Sequence, residues 1–254
     1  MISKFNQLKN HAGFMKYFQN TSWLMCEKIL RMGVGLFVGV WVARYLGPEQ
    51  FGLLNYAQSF VFLFTAIATL GLDGIVVREL VKNENRRDAL LGTAFGLKLI
   101  GALLILPVLI LAVKLTSNDE YTNLLVFIIA SATIFQSFNV IDFYYQSKVL
   151  SKYVAFANSI SLALSSTIKI VLLFKEAPLI SFALMTLFDS VVLAIGLIYY
   201  YRKKPGHNLF GWSFNKETAK SLLKDSWPLM LSGLVISVYM KVDQTSRLMQ
   251  QRYV

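Results

Sequence analysis

The sequence predicts an all-α integral membrane protein of about six to seven transmembrane helices. The chain has 254 residues, of which 56% are hydrophobic and 15% charged, whereas soluble domains carry about 25% charged residues. Phe51 to Leu72 and Tyr121 to Ile141 run for 22 and 21 residues without a charge, and a helix needs about 20 apolar residues to cross a bilayer. The alternating pattern of membrane β-strands is absent from the sequence, so the spans are predicted to be helices.

Seven apolar segments follow one another along the chain, and each is predicted to span the membrane. Their expected limits are residues 22–45, 51–72, 90–113, 121–145, 153–174, 177–201 and 226–244. The predicted organisation is a cytoplasmic segment 1–21, a six-helix bundle 22–201, a basic cytoplasmic loop 202–225, and a partial seventh helix with a divergent tail 226–254. Within the basic loop, Asn215 is expected to cap a short helix that runs through Leu223.

Lysine and arginine alternate between the gaps that separate these segments. Fifteen of the 25 lie in the N-terminal segment and in every second gap, and three lie in the gaps between those. Because cytoplasmic loops carry the excess of basic residues, the pattern predicts a cytoplasmic N-terminus. It also argues against nucleic-acid binding despite the net charge of +11, since the basic residues flank apolar spans and form no separate polar domain.

Several charged residues interrupt the predicted spans, where a charge at the bilayer centre costs about 2.5–3.5 kcal/mol. Asp189 has 12 uncharged residues on either side, so we expect it to face a buried partner or a cavity. Glu27 and Arg31 are four residues apart and are predicted to share a helix face. Lys98 and Lys169 interrupt the third and fifth spans. Cations that face inward suit an anionic cargo such as a phosphate-bearing lipid head; the alternative is that they reach the headgroup level.

Two patterns of small or polar residues also have helical spacing. Two pairs of glycines are four residues apart, Gly35/Gly39 and Gly92/Gly96. Such pairs predict the close approach of a neighbouring helix. Asn139, Asp142 and Gln146 recur at intervals of three and four, and predict one polar stripe near the end of the fourth span. That stripe fits either a functional surface or a helix-end interface.

The sequence contains no recognisable catalytic or cofactor-binding motif. It has no phosphate-binding loop, no HExxH and no G-x-S-x-G. The two histidines, His11 and His207, are isolated in the sequence and are predicted to be solvated. We therefore predict a protein that is not an enzyme and has no cofactor and no metal site. Any transport would be secondary or driven by a partner.

Four stretches of the sequence, in this order, resemble the polysaccharide-transporter family. They are ARYLGPEQFGLLNYA over residues 43–57, LGLDG through VREL over 70–80, DFYYQ over 142–146, and WPL through YMKVDQ over 227–244. The family includes the Wzx-type O-antigen and repeat-unit flippases of the multidrug/oligosaccharidyl-lipid/polysaccharide exporter superfamily. The resemblance covers about residues 20–244.

The resemblance implies that the chain is one half of a flippase bundle of about twelve helices arranged around a central cavity. It implies that undecaprenyl-diphosphate-linked oligosaccharide is moved from the inner to the outer leaflet of the bacterial cytoplasmic (inner) membrane by alternating access. The product would feed O-antigen, lipopolysaccharide, capsule or exopolysaccharide biosynthesis. The implied partners are this polyprenyl-linked oligosaccharide, membrane lipid, a polysaccharide polymerase and a chain-length regulator.

The resemblance also assigns candidate roles to charged residues. The candidates for the substrate path are Arg31, Arg78, Lys98 and Lys169. The candidates for gating or ion coupling are Glu27, Asp73, Glu79, Asp142, Asp189 and Asp243. The first set would contact the diphosphate and the sugars, and the second would form salt-bridge gates or bind the coupling ion.

The sequence departs from the family's pattern after Gln244, where the polar residues 245–254 replace an apolar continuation. We expect a chain truncated or frameshifted after its N-terminal half; the alternative is a short subunit that dimerises. Two functional alternatives remain: another exporter of the same superfamily, such as a drug/cation antiporter, and a non-transporting remnant. A membrane-bound glycosyltransferase or polymerase would need a long outer loop with carboxylates, which the sequence lacks.

Overall fold

The described part of the chain is built from α-helices. The computed structural model describes the backbone of residues 12–116 and 118–252, and the side chains of residues 15–65, 67–116, 118–237 and 239. The α-helices are α1 (Ala12–Thr69), α2 (Asp73–Lys82), α3 (Arg87–Lys114), α4 (Glu120–Gln136), α5 (Val140–Ser147), α6 (Lys152–Phe174), α7 (Leu179–Arg202) and α8 (Lys216–Arg252). Short 3-10 turns lie at Glu84–Arg86, Ser137–Asn139 and Leu209–Gly211.

Five helical segments of the described chain are long and apolar enough to cross a membrane. They are Met15–Thr65, Glu84–Lys114, Glu120–Ser147, Lys152–Phe174 and Leu179–Arg202. Together they cover most of each of the first six predicted spans, because the first two spans share α1. The predicted all-α membrane class is therefore confirmed. Helix α8 covers the predicted seventh span but is not among the five.

The first two predicted spans are joined by a kink at Gly47 inside α1. Gly47 has φ 69° and ψ 173°, and Pro48 follows it. A residue with a Cβ disfavours this φ, and proline cannot donate the next helical hydrogen bond. Val38 on one side of the kink and Leu54 on the other belong to the same core cluster. The chain therefore turns back at Gly47, and the two spans form a helical hairpin.

The long helices run between two apolar clusters, one at each end of the bundle. Helix α3 contributes Leu91 to the first cluster and Leu109 to the second. Helix α7 runs the opposite way, with Phe182 in the second cluster and Leu197 in the first. The directions alternate along the chain, as the charge pattern predicted.

The connections between helices collect at two ends that differ in charge. The Gly47 kink, the α3–α4 loop and the α6–α7 loop form the short-loop end, where the Tyr45 hydroxyl donates to the Ala177 carbonyl at 3.0 Å. The α2–α3, α5–α6 and α7–α8 connections form the basic end, where Lys148 pairs with Glu84. Arg87 also donates to the Gly206 carbonyl there at 3.0 Å. The gaps grouped by charge in the sequence are therefore grouped in space.

Helix α8 begins at the basic end and is anchored against α3. The Asn215 side chain accepts from the Thr218 backbone N–H at 2.8 Å, which confirms the predicted cap. The helix continues beyond Leu223 to Arg252, so the predicted short helix is the first part of a longer one. A Cβ on Gly92 would lie 2.7 Å from the backbone nitrogen of Ser213. Gly92 does have a close neighbour, but that neighbour is the non-helical segment that leads into α8, so the predicted close approach of a helix is wrong at Gly92.

The α7–α8 loop is held by a neutral histidine. His207 Nε2 lies 3.0 Å from Arg87 Nη1 and 2.8 Å from the Tyr144 hydroxyl, and its Nδ1 lies 2.9 Å from the Pro205 carbonyl oxygen. Because arginine can only donate and a carbonyl can only accept, Nε2 accepts and Nδ1 carries the proton. Burial lowers the pKa of His207 below its usual value, and the nearby Arg87 adds to this.

Acidification should loosen this loop. The lowered pKa means that the unfolded state binds the proton more readily, so the stabilisation is complete above about pH 6.5 and is lost as the pH falls through the lower, folded value. We expect the protection factors of the amides in residues 203–211, which correct for the pH dependence of intrinsic exchange, to be lower at pH 5.5 than at pH 7.5. His207→Gln should remove most of the difference. An equal pH response in both proteins would contradict the assignment.

Candidate functional site

A polar cavity of about 480 Å³ lies between the two halves of α1 and helices α4, α6 and α7. Its charged lining residues are Arg31, Lys169 and Asp189. The remaining polar lining consists of amides and hydroxyls, Asn55, Gln58, Gln136, Asn139, Asn158, Ser161, Ser165, Ser166, Thr186 and Ser190. The lining combines two cations and one anion with many neutral hydrogen-bonding groups.

Lys169 on α6 and Asp189 on α7 form an ion pair across the cavity wall. Lys169 Nζ lies 3.2 Å from Asp189 Oδ2. The other carboxylate oxygen, Oδ1, is buried and has no hydrogen-bond partner among the described residues. The side chains keep 27% and 35% of their surface exposed, so both can be reached from the cavity. Asp189 thus has the partner and the cavity that its sequence position predicted.

Arg31 is held at the cavity by a buried carboxylate one helical turn away. Its Nε lies 2.8 Å from Glu27 Oε1, which confirms the predicted shared face. The Glu27 side chain is 6% exposed, whereas that of Arg31 is 50% exposed. The buried partner therefore orients the guanidinium, and about half of the Arg31 side chain stays available to a ligand.

The glycines of the first half of α1 make room for the cavity. Gly35 and Gly39 both line it, and a Cβ built on either would meet nothing within 4 Å. The predicted close packing of a helix against this pair is wrong. Their lack of side chains instead widens the space beside Arg31.

Lys98 lies outside the cavity lining, in a charge cluster nearer the basic end. Its side chain is 4% exposed and its Nζ lies 2.9 Å from Asp73 Oδ1. The same nitrogen lies 4.7 Å from the centre of the Phe143 ring. Asp142 lies close enough to Gln146 and Lys98 to interact with both electrostatically. Of the predicted polar stripe, Asp142 and Gln146 lie in α5 and outside the cavity lining, and only Asn139 in the preceding 3-10 turn lines the cavity.

Arg78 and Glu79 also lie away from the cavity, at the exposed surface of the basic end. Arg78 Nε lies 3.1 Å from Glu79 Oε1, and its Nη2 lies 2.5 Å from Asp225 Oδ2. Because Asp225 belongs to α8, this pair ties α8 to α2. The side chain of Asp243 lies outside the described residues. Among the described residues, no group of three or more His, Cys, Asp or Glu side chains is placed to hold a metal ion.

The sequence prediction missed the neutral lining of the cavity. Helix α6 contributes Asn158, Ser161, Ser165 and Lys169, spaced by three, four and four residues. That spacing places them on one helix face, and the second half of α1 adds Asn55 and Gln58 at a spacing of three. Helical periodicity of small polar residues within an apolar span was the signal that could have revealed this face.

The fold is similar to that of a solved structure described as the inward-facing conformation of a multidrug resistance MATE family transporter of the MOP superfamily. The TM-score is 0.62 and the sequence identity is 18%. The likeness covers 83% of this chain and 52% of that one, so the chain spans about half the length of that transporter. No curated protein matches the sequence. A family model described as polysaccharide biosynthesis protein matches residues 17–250. The chain therefore belongs to this polysaccharide biosynthesis protein family.

Proposed function

We propose that the chain forms one wall of a flippase cavity through which a lipid-linked oligosaccharide crosses the bacterial cytoplasmic membrane. The cargo class is undecaprenyl-diphosphate-linked oligosaccharide repeat units for surface polysaccharide, such as O-antigen, capsule or exopolysaccharide. The observation that carries the proposal is the cavity, whose lining presents two cations, Arg31 and Lys169. Membership of a polysaccharide biosynthesis family and a transporter-like fold support it.

The two cations suit the diphosphate, and the neutral lining suits the sugars. Arginine and lysine form charge-assisted hydrogen bonds with phosphate oxygens. Lys169 already pairs with Asp189, so cargo would exchange one anionic partner of the lysine for another. Amides such as Asn55 and Gln58 offer both donors and acceptors, which matches the hydroxyl groups of a sugar.

The alternating charges favour a cytoplasmic position for the basic end. Most lysines and arginines of the gaps lie there, and such residues accumulate on the cytoplasmic side. In this orientation the cavity receives cargo that is assembled in the cytoplasm. The polysaccharide polymerase and the chain-length regulator would then receive the cargo at the short-loop end.

A drug/cation antiporter is the second candidate, and one observation favours it. Asp189 has a buried carboxylate oxygen without a hydrogen-bond partner among the described residues, and a cation could occupy that position. The neighbouring Lys169 and Arg31 oppose a cationic cargo because they repel it electrostatically. The two cations that line the cavity therefore rank the anionic cargo first.

A proteoliposome assay with the purified full chain tests the two candidates together. Fluorescent polyprenyl-diphosphate-linked disaccharide is placed in both leaflets, and membrane-impermeant dithionite quenches the label that reaches the outside. The proposal expects quenching beyond the half that is accessible in protein-free vesicles. A cationic dye is tested in parallel. Transport of the dye without movement of the lipid would favour the antiporter.

Filling the cavity from α1 should block transport without unfolding the protein. Gly35→Leu places a side chain in open space that lines the cavity, and leucine also favours helix more than glycine does. We expect at least a tenfold loss of lipid movement in the proteoliposome assay, with normal membrane insertion. Gly33→Leu is the matched control, because Gly33 also faces open space but does not line the cavity. Equal loss in both variants would refute a transport role for the cavity.

A further inference from the structure

Two concavities meet at the short-loop end and share one residue, Tyr45. The first is an apolar groove of about 480 Å³ lined by Trp41, Arg44, Tyr45, Ile170, Leu173 and Phe174. The second is a polar pocket of about 530 Å³, whose polar lining is Tyr45, Glu49, Gln50, Tyr121 and Glu176. The two sites differ in chemistry and adjoin each other, so one amphiphilic molecule can occupy both.

The groove has the features of a site for a lipid chain with an anionic head. Phe174 and Trp41 present exposed apolar surface, and in a bilayer such surface contacts hydrocarbon. Arg44 is exposed beside them and makes no ion pair with any residue that the structure describes. An unpaired guanidinium at the head of an apolar groove is complementary in charge and geometry to a phosphate group.

The polar pocket has the features of a site for a sugar and not for a second phosphate. Tyr45 and Tyr121 are 38% and 39% exposed, and their ring faces offer flat apolar surfaces with a polar edge. Glu49 and Glu176 are exposed carboxylates that accept hydrogen bonds from hydroxyl groups. The same carboxylates repel a phosphate, so an anionic head stays on the Arg44 side of Tyr45.

The two sites lie next to the central cavity along the helices that line it. Val42 and Lys169 line the cavity, and their chain neighbours Trp41 and Ile170 line the groove. Arg44 is 13 residues beyond Arg31 on α1, which corresponds to about 20 Å along a helix. Three cations therefore lie one after another towards the short-loop end, in the order Arg31, Lys169 and Arg44.

We propose that this pair of concavities binds the phosphate-linked sugar lipid on the far side of the membrane, after it leaves the central cavity. The lipid chain lies in the groove, its phosphate contacts Arg44, and its first sugar lies in the pocket beyond Tyr45. This site rests on the proposed function, which supplies the cargo class. It adds a second binding position, distinct from Arg31 and Lys169.

Binding to the purified full chain in nanodiscs of zwitterionic lipid tests the site. The probe is the fluorescent polyprenyl-diphosphate-linked disaccharide, and the protein carries Lys169→Met to weaken binding in the central cavity. Arg44→Gln should weaken probe binding about tenfold, because one charge-assisted contact is lost. Glu49→Gln should weaken the disaccharide-linked probe more than polyprenyl diphosphate without sugar. Lys175→Gln, an exposed cation at the same end outside both linings, should change neither.

Three results would overturn the site. They are an unchanged affinity in Arg44→Gln, an equal response of both probes to Glu49→Gln, and equally strong competition by phosphatidylglycerol, which would indicate a general anionic-lipid contact. Failure of this inference and failure of the proposed function remain distinguishable. Normal lipid movement in proteoliposomes without Arg44-dependent binding refutes only the site. Arg44-dependent binding without lipid movement refutes only the flippase.

Discussion

Replacing Lys169 with methionine should reduce movement of the diphosphate-linked lipid by about tenfold to a hundredfold. Methionine keeps much of the length of the lysine side chain but removes the charge. The loss corresponds to one charge-assisted hydrogen bond of about 1.5–3 kcal/mol, at about 1.4 kcal/mol for each factor of ten. The proteoliposome assay measures the effect, and the amount of protein in the membrane fraction shows whether the variant still inserts.

A second variant separates cargo binding from structural pairing. Lys169→Met leaves the Asp189 carboxylate without its cation, which costs stability because the pair is partly buried. Lys169→Met combined with Asp189→Asn removes both charges and should recover that stability. If Lys169 contacts cargo, the double variant folds well and still transports poorly. Recovered transport in the double variant would show that the lysine only neutralises Asp189.

Asp189→Asn alone should also reduce transport, because cargo would bind too tightly, whereas in Lys169→Met it binds too weakly. The carboxylate competes with cargo for Lys169, and its removal leaves the ammonium of the lysine unpaired. Binding of the anionic lipid should tighten and its release should slow, so turnover falls while apparent affinity rises. Turnover and affinity that fall together would contradict this competition.

The limits of sequence prediction follow from what each signal measures. The lengths of the apolar segments predicted the bounds of α3, α6 and α7 closely. A helix needs about 20 apolar residues to cross a bilayer, whatever its tertiary contacts. The break at the end of α4 was missed. The 3-10 turn Ser137–Asn139 lies within the uncharged run from Tyr121 to Ile141, and no proline or glycine marks it. The sequence predicted a short helix through Leu223 and a separate seventh helix from residue 226, and missed that both belong to the one continuous helix α8, because hydropathy falls between them although the helix does not break.

The sequence predicted part of the candidate site, namely its charged residues. Asp189 and Lys169 stand out in their spans because isolated charges in lipid are costly, and the structure places both at the cavity. Lys98 stands out equally but pairs with Asp73 elsewhere, a choice that depends on how α2 packs against α3. Sequence spacing fixes which residues share a helix face, but not which faces meet.

The packing of α8 makes Gly71 a position where a single added methyl group should strongly destabilise the fold. Gly71 has φ +63°, and a Cβ there would lie 2.7 Å from the Met230 backbone nitrogen and 2.9 Å from the Ser226 carbonyl oxygen. Gly71→Ala therefore combines a backbone strain of about 1–2 kcal/mol with overpacking of about 1–3 kcal/mol. We expect the midpoint of thermal unfolding to fall by about 5–15 °C, with faster hydrogen exchange in α8.

Gly206→Ala isolates the backbone contribution to that loss. Gly206 has a similar φ of +73°, but a Cβ there would meet nothing within 4 Å. Its alanine variant should lose only the strain of about 1–2 kcal/mol, and α8 should keep its protection from exchange. The difference between the two variants measures how tightly α8 is held against the turn after α1. If both variants lose the same stability, Gly71 is required for its φ alone, and the contact with α8 contributes nothing measurable.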